Sequence, residues 1–200
     1  MLGVFLDTET NGLNARIHRI LDLAYKIVDL SSGKLIEEYQ TILAQPVDIW
    51  EKSDSESLRI NGFTWEEICR GKSPESAAEQ VIEIFTRHKI KRKDAVFICQ
   101  NPSFDRAFFA QLIAPETQEI LKWPYHWLDL ASMYWALAID RAKQNRRSLP
   151  WVTGFSKDQI ASHYHLPAER KPHRAMNGVE HLLLCYEAVV GFPNANSACH

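Results

Sequence analysis

Apolar residues fill positions 2–6 with only Gly3 among them, and the run stops at Asp7 before the turn-forming residues Thr10, Asn11 and Gly12. That pattern predicts a short buried strand over residues 3–8. Two longer strand-like runs, 19–30 and 35–43, are joined by Ser31-Ser32-Gly33-Lys34, a compact turn signal, so the first three strands read as an antiparallel meander. Residues 45–61 turn polar and briefly helical, and Thr64 with Glu67 three positions on marks a capped helix start. Over 74–88 the residues Ala78, Val81, Ile82 and Phe85 recur at helical spacing, the clearest amphipathic helix of the first half. A strand at 95–100 breaks at Asn101-Pro102-Ser103 into a helix beginning near Phe104, which places Asp105 in the first helical turn. Further helices are predicted over 129–141, 156–164 and 177–190, the last with Val179, Leu182, Leu183, Tyr186 and Val190 toward the core. Residues 144–155 read as an irregular loop, 167–172 as a charged loop and 191–200 as a loose tail. Three antiparallel strands followed by strands alternating with helices imply an α/β fold with a mixed sheet.

Composition narrows this picture. A chain of 200 residues with 46% hydrophobic and 24% charged content predicts one soluble domain over 1–190 around a single core. No apolar run reaches membrane-spanning length, and the first residues run into Asp7 without a basic segment or cleavage site, so neither a membrane nor a secretory role is expected. Cys69, Cys99, Cys185 and Cys199 show no C-x-x-C spacing, which fits a reducing, cytoplasmic setting. A net charge of −2 argues against a protein that coats nucleic acid indiscriminately. The basic residues nevertheless cluster at 87–93, 141–147 and 170–174, either as solvated surface or as patches that steer a phosphate chain.

The chemistry concentrates at Asp7 and Glu9. Alternate side chains of a strand share a face, so both carboxylates point the same way, and burying two like charges calls for a cation. A hard divalent metal is one answer; a solvated edge strand is the other. Folds of this class place their sites at strand ends, where Asp105 would join the pair from a separate part of the chain.

Three motifs decide between these readings. Asp7-Thr8-Glu9-Thr10-x-Gly12-Leu13, Asn101-x-x-Phe104-Asp105 and His173-Arg174-Ala175 resemble, in order and spacing, the signature of the DEDDh 3′-to-5′ exonucleases, notably the small stand-alone members of the exodeoxyribonuclease X kind. The resemblance implies a ribonuclease-H-like fold, a mixed five-stranded sheet of three antiparallel and then parallel strands flanked by helices. It implies two Mg²⁺ or Mn²⁺ ions, with Asp7 bridging both, Glu9 on the ion that activates water, Asp105 on the other, and His173 as general base. Thr8, Thr10, Leu13, Asn101 and Phe104 would line the pocket for a 3′-terminal nucleotide of single-stranded DNA or RNA. Some relatives are dimers, so the resemblance leaves a homodimer open, while the residues themselves do not indicate an oligomeric state.

One position departs from the pattern. The family carries an aspartate five residues after the histidine, and here that position is Gly178. Neither Asn177 nor Glu180 projects in the same direction from a helix, so the resemblance predicts an incomplete metal site and impaired hydrolysis, repaired in a Gly178→Asp version. The alternative is a catalytically inactive nucleic-acid-binding or polymerase-associated module of the same fold. His173 itself is expected on a mobile loop that closes only over substrate.

Overall fold

The computed structural model describes residues 1–145 and 148–194. Strand β1 (Leu2–Thr10) takes the centre of the sheet, with Val4, Phe5 and Leu6 fully buried, as a continuous apolar run requires. Strands β2 (Ile20–Asp29) and β3 (Leu35–Ile42) continue the meander. Helices α1 (Val47–Trp50), α2 (Ser55–Asn61) and α3 (Trp65–Cys69) follow, the last opened by the Thr64–Glu67 capping box. Next come α4 (Pro74–Arg87), β4 (Ala95–Cys99), α5 (Pro102–Leu112), α6 (Pro115–Ile120) and β5 (Trp127–Asp129). Helices α7 (Leu130–Asn145), α8 (Pro150–Thr153), α9 (Lys157–His163) and α10 (Ala175–Val189) complete the order. The sheet runs β3-β2-β1-β4-β5, its first two pairings antiparallel and its last two parallel. This is the mixed five-stranded sheet expected.

Alternation along β1 divides the interior in two. Val4 and Leu6 enter a core with Phe85 of α4 and Phe108 and Phe109 of α5, whereas Phe5 faces Tyr134 of α7, Ile160 of α9 and Val179, Leu182 and Tyr186 of α10. Helices therefore cover both faces of the strand that carries Asp7 and Glu9.

Several boundaries differ from the sequence pattern. Helix α4 buries Ala77, Val81, Ile84 and Phe85, a stripe rotated slightly from the expected one, while Ala78 and Ile82 are partly buried. The predicted loop after residue 144 is shorter, because α7 runs to Asn145 and Pro150 opens α8 at its first position, where a proline costs nothing. The start of the expected tail is held in place: Phe192 packs on Tyr186 at 5.6 Å and the Asn194 N–H donates to the Ser31 carbonyl at 2.7 Å. Residues 195–200 of that tail, with Cys199, and Arg146 and Arg147 of the middle basic cluster, lie outside the described residues. Among the described residues no helix is long and apolar enough to cross a membrane.

Candidate active site

The site is assembled from both faces of β1. Asp7 and Glu9 leave the strand on the Phe5 side, toward α10, and a bulge between Glu9 and Thr10 ends the regular ladder just beyond them. Asp105 arrives from the opposite layer. Asn101 adopts a left-handed conformation (φ 59°, ψ 63°), which asparagine tolerates better than most residues, and Pro102 then starts α5. Thr8 points to that side and donates its N–H (3.0 Å) and its hydroxyl (2.9 Å) to Asp105 Oδ1. Asp7, Glu9, Asp105 and His173 thus line one cavity of about 310 Å³ at the end of the strand.

The α10 side of the cavity is fixed by buried charge. Asp22 pairs with Glu9 across the sheet, is fully buried, and accepts hydrogen bonds from the Ala175 N–H (2.9 Å) and Gln40 Nε2 (3.0 Å). It supplies from outside the helix the cap that α10 lacks, and its negative charge suits a helix N-terminus. One turn on, Gly178 is buried against Asp7 so closely that a Cβ there would lie 2.3 Å from Asp7 Oδ2. The Gly178 carbonyl accepts from Lys157 Nζ at 3.3 Å, and the same ammonium lies 2.8 Å from Glu169 Oε2 and 3.7 Å from Asp7 Oδ1. Glu169 and Lys157 were not singled out by the sequence, where one lies in a charged run and the other follows a helix cap; both patterns ordinarily mean solvent.

His173 is anchored, in contrast to the mobile loop expected. Its backbone N–H donates to the Ile60 carbonyl at 3.2 Å, and the neighbouring Arg174 lies 3.7 Å over the Phe63 ring and 2.9 Å from Glu67. The imidazole already faces the cavity, with Nδ1 3.2 Å from Glu169 Oε1.

The electrostatics ask for a cation. Burial pushes the Asp105 carboxyl well above the usual range, the nearby charge of Asp7 adding to it against the two Thr8 hydrogen bonds. Burial likewise raises Asp7, partly offset by Lys157. Glu9 is pushed up to about 8 by burial, then by Asp7 and Glu169. Glu169 is the exception: burial would raise it, but His181 and Lys157 bring it down to about 2. Three carboxylates that resist ionisation, plus a fourth held charged, make an all-oxygen donor set suited to a hard divalent ion such as Mg²⁺ or Mn²⁺. Because the folded-state pKa of Glu9 lies above its ordinary 4.5, the folded chain holds the extra proton between that value and about 8, and metal-free stability falls as pH rises through this window. Metal must displace that proton at lower pH. One fixed Mn²⁺ concentration, a hundredfold above the apparent Kd at pH 8, is therefore expected to raise Tm by roughly 5 °C or more near pH 8 and by distinctly less near pH 6, where proton competition raises that Kd. Equal shifts in a thermal melt at the two pH values would count against a metal on these carboxylates.

The remaining candidates divide. Leu13 is 78% exposed and lines an adjoining cavity of about 570 Å³ to which Asn101 and Phe104 also contribute, so those two residues border both spaces. Thr8 borders the acidic cavity but commits its hydroxyl to Asp105. Thr10 is buried, with its hydroxyl donating to the Gly12 carbonyl at 2.8 Å, and shapes the turn after β1.

A model of the RNase_T exonuclease family matches residues 4–183. The chain belongs to this exonuclease family. Among curated relatives of the family, it is 29% identical to the ribonuclease T of Histophilus somni (strain 129Pt) over 128 residues, which cover 62% of this chain and 57% of that protein. It is 31% identical to the ribonuclease T of Actinobacillus pleuropneumoniae serotype 5b (strain L20) over 112 residues, covering 54% of this chain and 51% of that one. The chain thus spans about half the length of the curated relatives it matches. Two solved structures share the fold. Escherichia coli exonuclease I in complex with a dT13 oligonucleotide superposes with a TM-score of 0.74 at 17% identity, covering 98% of this chain and 42% of that one. The nuclease domain of 3′hExo, a DEDDh family member bound to rAMP, gives 0.67 at 12% identity and covers 99% and 93%.

Proposed function

We propose that this chain is a divalent-metal-dependent 3′-to-5′ exonuclease that removes nucleotides from single-stranded nucleic acid, with two Mg²⁺ or Mn²⁺ ions and His173 as general base. The observation that carries the reading is the convergence of Asp7, Glu9, Asp105 and His173, from separate parts of the chain, on one cavity of about 310 Å³. That volume lies in the range of small-ligand sites and suits one terminal nucleotide. Bound divalent ions would generate hydroxide and neutralise charge on the scissile phosphate, held by Asp7, Glu9 and Asp105. His173, with Nδ1 kept at 3.2 Å from Glu169, has its other ring nitrogen left to accept the water's proton.

The surroundings favour a strand with unpaired bases. Leu13 and Phe104 offer apolar surface in the adjoining cavity of about 570 Å³. On the other side, Trp151 (55% exposed) and Phe155 (44%) pack against Trp135 immediately before Ser156 and Lys157, which line the acidic cavity. Exposed rings beside a phosphate site suit stacking on successive bases. The test is a 5′-labelled single-stranded DNA and a matched RNA, each incubated with Mg²⁺, with Mn²⁺ and with EDTA. Stepwise shortening from the 3′ end that stops in EDTA is expected for at least one of the two, and the pair decides between DNA and RNA. Binding without shortening under every metal condition would leave the non-catalytic module as the correct reading.

A further inference from the structure

We propose that Glu169 supplies the carboxylate that residue 178 does not, so that the water-activating cation is held from the loop before His173 and not from α10. This rests on the metal-dependent reading above and deepens it by naming a ligand. One oxygen of Glu169, one of Glu9 and a ring nitrogen of His173 lie within 4.8 Å of one another. Opposite ligands of an octahedral Mg²⁺, each about 2.1 Å from the ion, are themselves about 4.2 Å apart, so small adjustments bring the two carboxylates to one cation. The Glu169 side chain is only 4% exposed, and a charge so buried needs partners. It has them: Lys157 Nζ, in the cavity wall, is 2.8 Å from Oε2, and His181 Nδ1 lies 3.6 Å from the same oxygen. His181 is in turn fixed by its Nε2 at 3.0 Å from the Pro167 carbonyl, within the loop that carries Glu169.

Gly178 provides an independent argument. A Cβ at that position would lie 2.3 Å from Asp7 Oδ2 and 2.6 Å from its Cγ, so a side chain at 178 requires the Asp7 carboxylate to move from where it now lies. Beside the glycine lies Lys157, bonded to the Gly178 carbonyl at 3.3 Å and reaching Glu169. The glycine, the lysine and the loop glutamate form one rearrangement. With Asp7, Glu9 and Asp105, Glu169 completes a set of four buried or partly buried carboxylates in the cavity, which the exposed Asp158 also borders.

The competing role is that Glu169 only orients His173, whose Nδ1 is 3.2 Å away. Mn²⁺ titration followed by electron paramagnetic resonance, independent of any nuclease assay, separates the two. Glu169→Gln keeps the size and one acceptor oxygen but not the charge, and its Kd for Mn²⁺ is expected to rise by more than about a hundredfold, beyond the roughly 10–100-fold that loss of an outer partner costs. Wild-type affinity in Glu169→Gln overturns the proposal, whatever happens to its cleavage rate or pH profile. If glutamine strands Lys157 and unfolds the chain, the double variant Lys157→Met/Glu169→Gln removes both charges and is read against Lys157→Met alone, since loss of the ammonium by itself favours a cation. Tight Mn²⁺ binding that Glu169→Gln weakens, in a wild type that cleaves no oligonucleotide, would sink the exonuclease reading and leave Glu169 as a ligand.

Discussion

Asp7→Asn is expected to slow phosphodiester cleavage by at least about a thousandfold, some 4 kcal/mol in the transition state, while leaving the chain folded. Asp7 lies beside Gly178 of α10, and its charge acts on both Glu9 of its own strand and Asp105 of α5. Asparagine keeps its shape and removes its charge, so both the hold on the cations and the alignment of the phosphate are lost. The stability effect has the opposite sign. Burial pushes the Asp7 carboxyl above its ordinary range, so without metal the folded state is penalised for keeping it ionised near pH 8, and a neutral isostere removes that penalty. Lys157 keeps Glu169 at 2.8 Å and is not left unpaired. A melt in EDTA should place Asp7→Asn at or above the wild-type Tm, with the oligonucleotide ladder absent. Cleavage within tenfold of wild type would show that Asp7 is no metal ligand.

That trade of stability for function tracks what the sequence made legible. Asp7 and Glu9 share a face because alternation in a strand is a local rule, and Asp105 follows from the strand-to-helix break at Asn101-Pro102-Ser103. Long-range partners were not legible. The sequence pattern starts the last helix at residue 177, since positions 172–176 contain no Ser, Thr, Asp or Asn to cap it; the cap is Asp22, 153 residues away in the chain. His173 reads as mobile because its loop is polar, yet the loop is pinned by Arg174 over Phe63. Glu169 and Lys157 read as solvated charges because each is costly to bury alone; only as a pair at 2.8 Å, with His181 behind them, does their burial become tolerable. The antiparallel meander of the first three strands was legible in local patterns, whereas the five-stranded sheet came from the family resemblance and the three-residue β5 carries too little pattern to be read.

The closeness of Gly178 to Asp7 runs against the expectation, drawn from family resemblance, that an aspartate at position 178 repairs the site. Gly178→Asp is expected to lower cleavage by roughly a hundredfold, the scale on which a misplacement of about 1 Å at a reacting centre is felt. The new Cβ would meet Asp7 Oδ2 at 2.3 Å and Cγ at 2.6 Å, so one side must give. Helix α10 is poorly able to, because Val179, Leu182 and Cys185 are fully buried, Ala175 is bonded to Asp22 and the Gly178 carbonyl to Lys157. Asp7 is therefore the group that turns out of its present position, and one more carboxylate joins a cluster in which burial and repulsion already push Glu9 up to about 8. Gly178→Ala isolates the steric part: alanine is the better helix residue by roughly 0.5–1 kcal/mol, so a Tm below wild type in that variant reports the collision with Asp7. Both variants should also bind Mn²⁺ more weakly, since Asp7 is displaced in each. A Gly178→Asp chain that cleaves faster than wild type would mean that α10 yields, and that residue 178 belongs to the metal site after all.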